Sequence, residues 1–150
     1  MREAKGNIWG MGGIVCVTTN GIVDSRGRAV MGSGIAKEAR DAYPDLPTQL
    51  AACLKNVGNH VFVFDSADKI SGIVDPIITF PTKEHWRDPS PIDLIVRSCH
   101  ELMELADRHG TWDRILLPRP GCGRGGLDWG TQVKPAIEGI LDDRVTIVTF

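Results

Sequence analysis

LLPRPGCGRGGLDWGTQVKPAI, residues 116–137, passes from a short apolar run through a glycine-rich loop into a segment that reads as a helix. The apolar run, RILL from Arg114 to Leu117, has the length of a buried strand and is too short for a helix. Pro118 to Gly126 is the loop, and Trp129 to Leu141 is the expected helix. The same pattern occurs earlier. IVCVTT, Ile14 to Thr19, is a β-branched run and reads as a buried strand. A polar stretch from Asn20 to Gly34 follows it, and a helix is expected from Gly34 to Tyr43, ended by Pro44.

Outward from these two segments the alternation continues. Leu46 to Asn56 reads as a helix closed by Gly58, and HVFVF from His60 to Phe64 as a strand. Asp65, Asp68 and Lys69 read as a solvated turn after it. Ile73 to Phe80 is expected to be a strand, with Pro76 assigning it to an edge or a bulge. Pro91 to Gly110 is the clearest helix: Ile92, Ile95, Val96, Cys99, Leu102, Met103 and Ala106 recur at helical spacing. Val145 to Phe150 closes the chain as a strand. Alternating strands and helices predict a three-layer α/β fold, a mixed, largely parallel central sheet flanked by helices. Ligands of such sheets bind outside the carboxyl ends of the strands, where both glycine-rich loops fall.

Met31-Gly32-Ser33-Gly34-Ile35-Ala36 and Gly121-Cys122-Gly123-Arg124-Gly125-Gly126 each join a strand to a helix. Such a junction can hold an anion, because the first N–H groups of a helix lack partners and its dipole favours negative charge. Two loops of this kind could clamp a pyrophosphate. An ordinary tight turn fits each loop as well. Neither matches the P-loop or the dinucleotide fingerprint.

The bulk composition is that of one soluble domain. There are 150 residues, 42% hydrophobic and 24% charged, with net charge -2. No basic excess marks a general nucleic-acid binder. Cys16, Cys53, Cys99 and Cys122 are scattered, and the four histidines form no ligand motif with them. No signal peptide and no apolar run of membrane-spanning length is read. A reduced, cytoplasmic monomer without cofactor, metal or membrane association is expected.

Two passages, VCVTTNG…AVMGSGIAKEARDAYP and LLPRPGCGRGGLDWGTQVKPAI, resemble the two halves of a macrodomain, and the resemblance extends from Gly6 to Phe150. FPTKEHWR (80–87) looks like the branch containing the terminal ADP-ribose glycohydrolases and the antitoxins that strip ADP-ribose from DNA. The resemblance implies a macrodomain that binds ADP-ribose and hydrolyses mono-ADP-ribose from protein acidic residues or DNA bases. The alternative is a reader that binds ADP-ribose without turnover. Phosphatase or deacetylase activity on ADP-ribose derivatives ranks below both, because those branches lack the lysine loop.

By the same resemblance, Asn7 and Ile8 fall at the adenine, with Asn7 where the family has Asp, and Val148 and Phe150 pack on that ring. Asn20 falls at the distal ribose. Ser33, Gly34, Ile35 and Ala36 match the first phosphate loop, and Gly121, Cys122, Gly123, Arg124, Gly125 and Gly126 the second. Lys83 falls where this branch has its catalytic lysine, as a nucleophile toward the anomeric carbon or as an electrostatic stabiliser.

There are two departures. Protein-directed members carry an acid where this chain has Gly125, so GCGRGGLDW is nearer the DNA-directed antitoxins. Gly21 to Val30 is longer than usual; Asp24, Arg26 and Arg28 could meet a substrate there or simply form a solvated tip. His85, Trp86 and Arg87 could stack on a base or grip a phosphate, or form an ordinary exposed loop. Asp128 is an acid near the second loop but reads at least equally as a helix cap or first-turn acid, Trp129 reads as packing, and Cys122 as a small residue whose thiol an anion site could acidify.

Overall fold

The structure, a computed structural model, describes residues 1–65 and 75–150. Six strands form one sheet: β1 (Arg2–Lys5), β2 (Ile14–Thr19), β3 (Phe62–Phe64), β4 (Ile77–Pro81), β5 (Ile115–Pro118) and β6 (Val145–Thr149). Their order is β1-β6-β5-β2-β4-β3, with every pairing parallel except the antiparallel β3–β4 pair at one edge. The expected mixed, largely parallel sheet is therefore present.

A parallel sheet covered on both faces needs apolar residues on both sides of its strands. β2 does this with consecutive residues. Ile14 and Cys16 join one core cluster and Val15 and Val17 the other. The first cluster lies under α3 (Ile92–His109) and α4 (Lys134–Ile137), and the second under α1 (Gly34–Ala42) and α2 (Leu46–Asn56). These are the three layers. α3 places Asp93 in its first turn and Arg108 and His109 in its last, which suits the helix dipole, and Gly110 ends it with φ 56°.

The structure departs from the expected elements in four places. β1, REAK, was not foreseen. It is a short polar edge strand whose partner β6 lies at the other end of the chain. β3 is shorter than His60 to Phe64, because Val61 N–H and His60 Nδ1 are held by the Glu101 carboxylate of α3 at 3.1 and 2.9 Å. β4 is an inner strand, not an edge. Pro76 precedes its first paired residue, so the missing N–H removes no ladder bond. Residues 73 and 74 of the expected strand lie outside the described residues, as do Asp68 and Lys69. The last helix is a π-helical turn (Trp129–Val133) followed by the short α4, since Gly130, Pro135 and Gly139 interrupt any longer run. No helix among the described residues is long and apolar enough to cross a membrane.

Candidate functional site

A cavity of about 660 Å³ opens at the carboxyl end of the sheet. It is lined by the ends of β2 (Thr18, Thr19), β5 (Pro118) and β6 (Val148, Thr149), and by Thr82 just past β4. These strands lie side by side in the order β6-β5-β2-β4. Three strand spacings separate the outer two, roughly 14 Å at about 4.8 Å each. Phe150 stands at the β6 end and Lys83 at the β4 end. Between them lie the loop after β5 and the loop that leads from β2 into α1.

The first loop delivers Gly32 to Ala36 to the cavity. Ser33 is extended and makes no side-chain cap, so the N–H groups that open α1 have no partner within the helix. Gly34 has φ 57°, and a Cβ there would meet nothing within 4 Å. In the second loop Leu127 N–H bonds Gly121 O at 3.0 Å and Gly126 N–H bonds Gly123 O at 3.2 Å. Gly121 has φ 76°, and a Cβ on it would lie 2.6 Å from Ile95 Cδ1. Gly123 is open in the same sense as Gly34. Gly125 is not: a Cβ would strike Ser90 Oγ and come within 2.5 Å of Gly121 O. Ser90 N–H in turn bonds Gly125 O at 2.9 Å, which fastens the loop to the start of α3. A side chain at the position where protein-directed members carry an acid would thus require Ser90 and the loop backbone at Gly121 to shift.

Lys83 follows β4, whose end is fixed twice. Thr82 N–H bonds Thr19 O at 3.0 Å, and Ser98 Oγ of α3 donates to Pro81 O at 2.7 Å. Asn59 Nδ2 donates to Lys83 O at 3.0 Å, and Gly21 N–H donates to Glu84 O at 3.1 Å. The half-buried side chain crosses to the second loop: Nζ donates to Trp86 O at 3.1 Å and to Arg124 O at 3.2 Å. An ammonium so held keeps a third N–H.

Among the described lining residues are Lys83, Arg119 and Arg124 but no Asp or Glu. None of the three takes part in an ion pair among the described residues. A chain of net charge -2 therefore turns three cations without an ion-pair partner among the described residues into one cavity, which suits an anionic ligand. Asp128, the nearby acid, is not among the lining residues. Asp128 caps the π-helical turn, its Oδ2 accepting from Thr131 Oγ1 at 2.7 Å and Thr131 N–H at 2.9 Å, and these bonds hold it below the usual carboxylate range. Burial pushes the Cys122 thiol up, so the acidified thiol is not realised. His85 Nδ1 accepts from Arg87 N–H at 3.2 Å and is not among the lining residues. Trp129 packs against the core, donates to Glu3 Oε1 at 3.1 Å and carries the Arg119 guanidinium 5.0 Å from its ring centroid.

The structure gathers Lys83, Asn20, Ser33, Gly34, Ile35, Ala36, Gly121, Cys122, Gly123, Arg124, Gly125, Val148 and Phe150 around this cavity. Asn7, Ile8 and Gly126 are not among its lining residues. Asn7 Oδ1 accepts from Trp9 N–H and caps a 3-10 turn (Ile8–Gly10), and Ile8 is buried in the second cluster. The amide of Asn20 is occupied by its own loop: Nδ2 donates to Val30 O and Oδ1 accepts from Ile22 N–H. Sequence reasoning missed Arg119 and Ser90. The charge of Arg119, at the start of the second loop, was the available signal. Ser90 had only its place before the helix-opening Pro91.

No family model matches the chain. It is 34% identical over 123 residues to the DNA ADP-ribosyl glycohydrolase of Thermus aquaticus, a match covering 75% of this chain and 31% of that protein. The chain spans about a third of the length of the curated relatives it matches. The solved macrodomain of Thermus aquaticus DarG superimposes with a TM-score of 0.76 at 26% identity, covering 99% of this chain and 97% of that one. Thermosipho africanus DarTG in complex with ADP-ribose shares the fold, with a TM-score of 0.79 at 22% identity over 98% of this chain and 41% of that one.

Proposed function

The chain belongs to the macrodomain family, and from that premise we propose that it binds ADP-ribose along the sheet's carboxyl edge and hydrolyses it from a DNA base. The observation that carries this reading is the order of chemistry along the cavity. An aromatic side chain stands at the β6 end, two glycine-rich loops with unpaired cations lie in the middle, and a lysine stands at the β4 end. Adenine, pyrophosphate and distal ribose follow one another in that order. The pyrophosphate would meet the N-terminus of α1 and the second loop. DNA is preferred to protein because an acid at Gly125 would require Ser90 and Gly121 to shift and the relatives are named for DNA.

Hydrolysis breaks the bond between the anomeric carbon and the base. Water adds to that carbon, and the base leaves with the bonding electrons and takes a proton. Among the described residues no Asp or Glu lines the cavity to resolve a covalent lysine adduct, and Lys83 Nζ is already anchored on two carbonyls. Lys83 is therefore assigned to stabilise the charge on the departing base through its remaining N–H. Removing one such donor costs about 100-fold or more in turnover.

The test uses a base-ADP-ribosylated single-stranded oligonucleotide. Lys83→Ala should lose release of ADP-ribose by about that factor and keep its affinity for free ADP-ribose. Undiminished release would remove Lys83 from the chemistry. Borohydride added during turnover should trap no protein–ADP-ribose adduct; an adduct at Lys83 would replace charge stabilisation with covalent catalysis. Binding without release by the unaltered protein would favour the reader function, which the lack of an Asp or Glu among the described lining residues also suits.

A further inference from the structure

Among the described residues only three large apolar side chains stand well exposed, and two of them, Phe150 and Trp86, line this cavity at its opposite ends. Phe150 belongs to the β6 end. Trp86 is 49% exposed and lies at the β4 end, where its own carbonyl receives Lys83 Nζ. The Arg87 guanidinium lies over the indole ring, 5.1 Å from its centroid, the His85 ring is tilted against the same indole at 5.3 Å, and Arg87 makes no ion pair among the described residues. Arg87 N–H bonds His85 Nδ1, while Glu84 of the same loop accepts from Asn59 Nδ2 at 3.2 Å. An exposed indole that lines the cavity, with a cation over its ring just outside the lining, is therefore carried by one braced loop that also holds the amine assigned to the leaving group.

We propose that Trp86 and Arg87 form a single-strand subsite beyond the ADP-ribose, in which the indole stacks on the ADP-ribosylated base and the guanidinium takes a phosphate of its strand. This rests on the DNA-directed reading above. An exposed indole gains from stacking only on a base with a free face, and every base within a duplex has both faces covered. The occupant is therefore an unpaired or extruded nucleotide. A net charge of -2 gives no broad basic surface for a duplex, whereas the open cations gather at this mouth. The subsite discriminates by leaving group: an aliphatic carboxylate side chain offers neither a plane to stack nor a phosphate.

The test measures binding by fluorescence anisotropy, with Lys83→Ala as the parent so that substrate survives. The ligands are free ADP-ribose, an ADP-ribosylated nucleoside and an ADP-ribosylated single-stranded oligonucleotide. Trp86→Ala should weaken the nucleoside and the oligonucleotide about tenfold and leave free ADP-ribose within twofold. Trp86→Phe should recover most of that loss. Arg87→Ala should weaken only the oligonucleotide and lower the magnitude of its salt slope by about 0.7, the value for one phosphate on a single strand. Equal loss on all three ligands would make the loop a mere support for the cavity. No loss on any would overturn the subsite. These readouts need no turnover, so an absence of hydrolysis would sink the proposed activity while the ratio of oligonucleotide to free ADP-ribose affinity still decides the subsite.

Discussion

Four glycines in this chain carry two different messages. Gly34 and Gly123 have open space where a Cβ would stand, and both line the cavity, so that space is where a ligand would lie. Gly121 and Gly125 are closed by Ile95, Ser90 and the loop's own carbonyl. Gly123→Val should leave thermal stability within about 0.5 kcal/mol, as at an ordinary surface site. It should weaken ADP-ribose binding at least tenfold, about 1.4 kcal/mol. Retained affinity would remove the second loop from the site. Gly125→Ala should behave in the opposite sense and destabilise by about 1–3 kcal/mol, because the added methyl overpacks against Ser90 and Gly121. Unchanged stability there would mean that the loop relaxes freely. The sequence marked all four as members of glycine-rich loops. It could not separate them, because the atoms that close Gly125 come partly from Ser90, distant along the chain.

At the scale of elements, the lysine loop is held by what surrounds it. β4 ends where Ser98 of α3 and Thr19 of β2 hold its last peptides, and Asn59, between α2 and β3, holds the carbonyl of Lys83 itself. Asn59 is a positioning residue and does not line the cavity. Asn59→Ala should cost about 1 kcal/mol of stability, the worth of an ordinary hydrogen bond. It should lower kcat severalfold with ADP-ribose affinity unchanged. An unaltered kcat would mean that the contacts of Lys83 with Trp86 O and Arg124 O suffice. Helices α1, α2 and α3 were legible because the periodicity of apolar residues is a local property. β3 and the last helix were misjudged because Glu101 and the glycines and proline around α4 override local propensity.

For the molecule as a whole, several carboxylates are stabilised in their charged form. The Arg144 side chain holds Asp142 below its usual range, the Arg28 backbone N–H does so for Asp24, the Thr131 side chain for Asp128, and the Lys134 side chain for Glu3. A lowered folded pKa means that the folded state binds fewer protons than the unfolded one near pH 4 and below. The stability these groups contribute is complete above about pH 4–5 and is lost as pH falls through the lowered folded values. The thermal midpoint should therefore fall below about pH 4, more gently in Asp142→Asn and more gently in high salt, since these groups are near the surface. A midpoint independent of pH in that range would deny them any role. The sequence by itself determined most of the succession of strands and helices, β1 and the form of the last helix excepted, together with the two glycine loops and the candidate lysine, all of which are written in residues close to one another in the chain. Only the tertiary structure decided that β6, β5, β2 and β4 lie side by side, so that Phe150, both loops and Lys83 open onto one cavity. It alone decided that a polar N-terminal segment becomes an edge strand, and that a side chain at Gly125 would require Ser90 and Gly121 to shift. Strand order and steric closure depend on partners far apart in the chain, and no local pattern encodes which of them will meet.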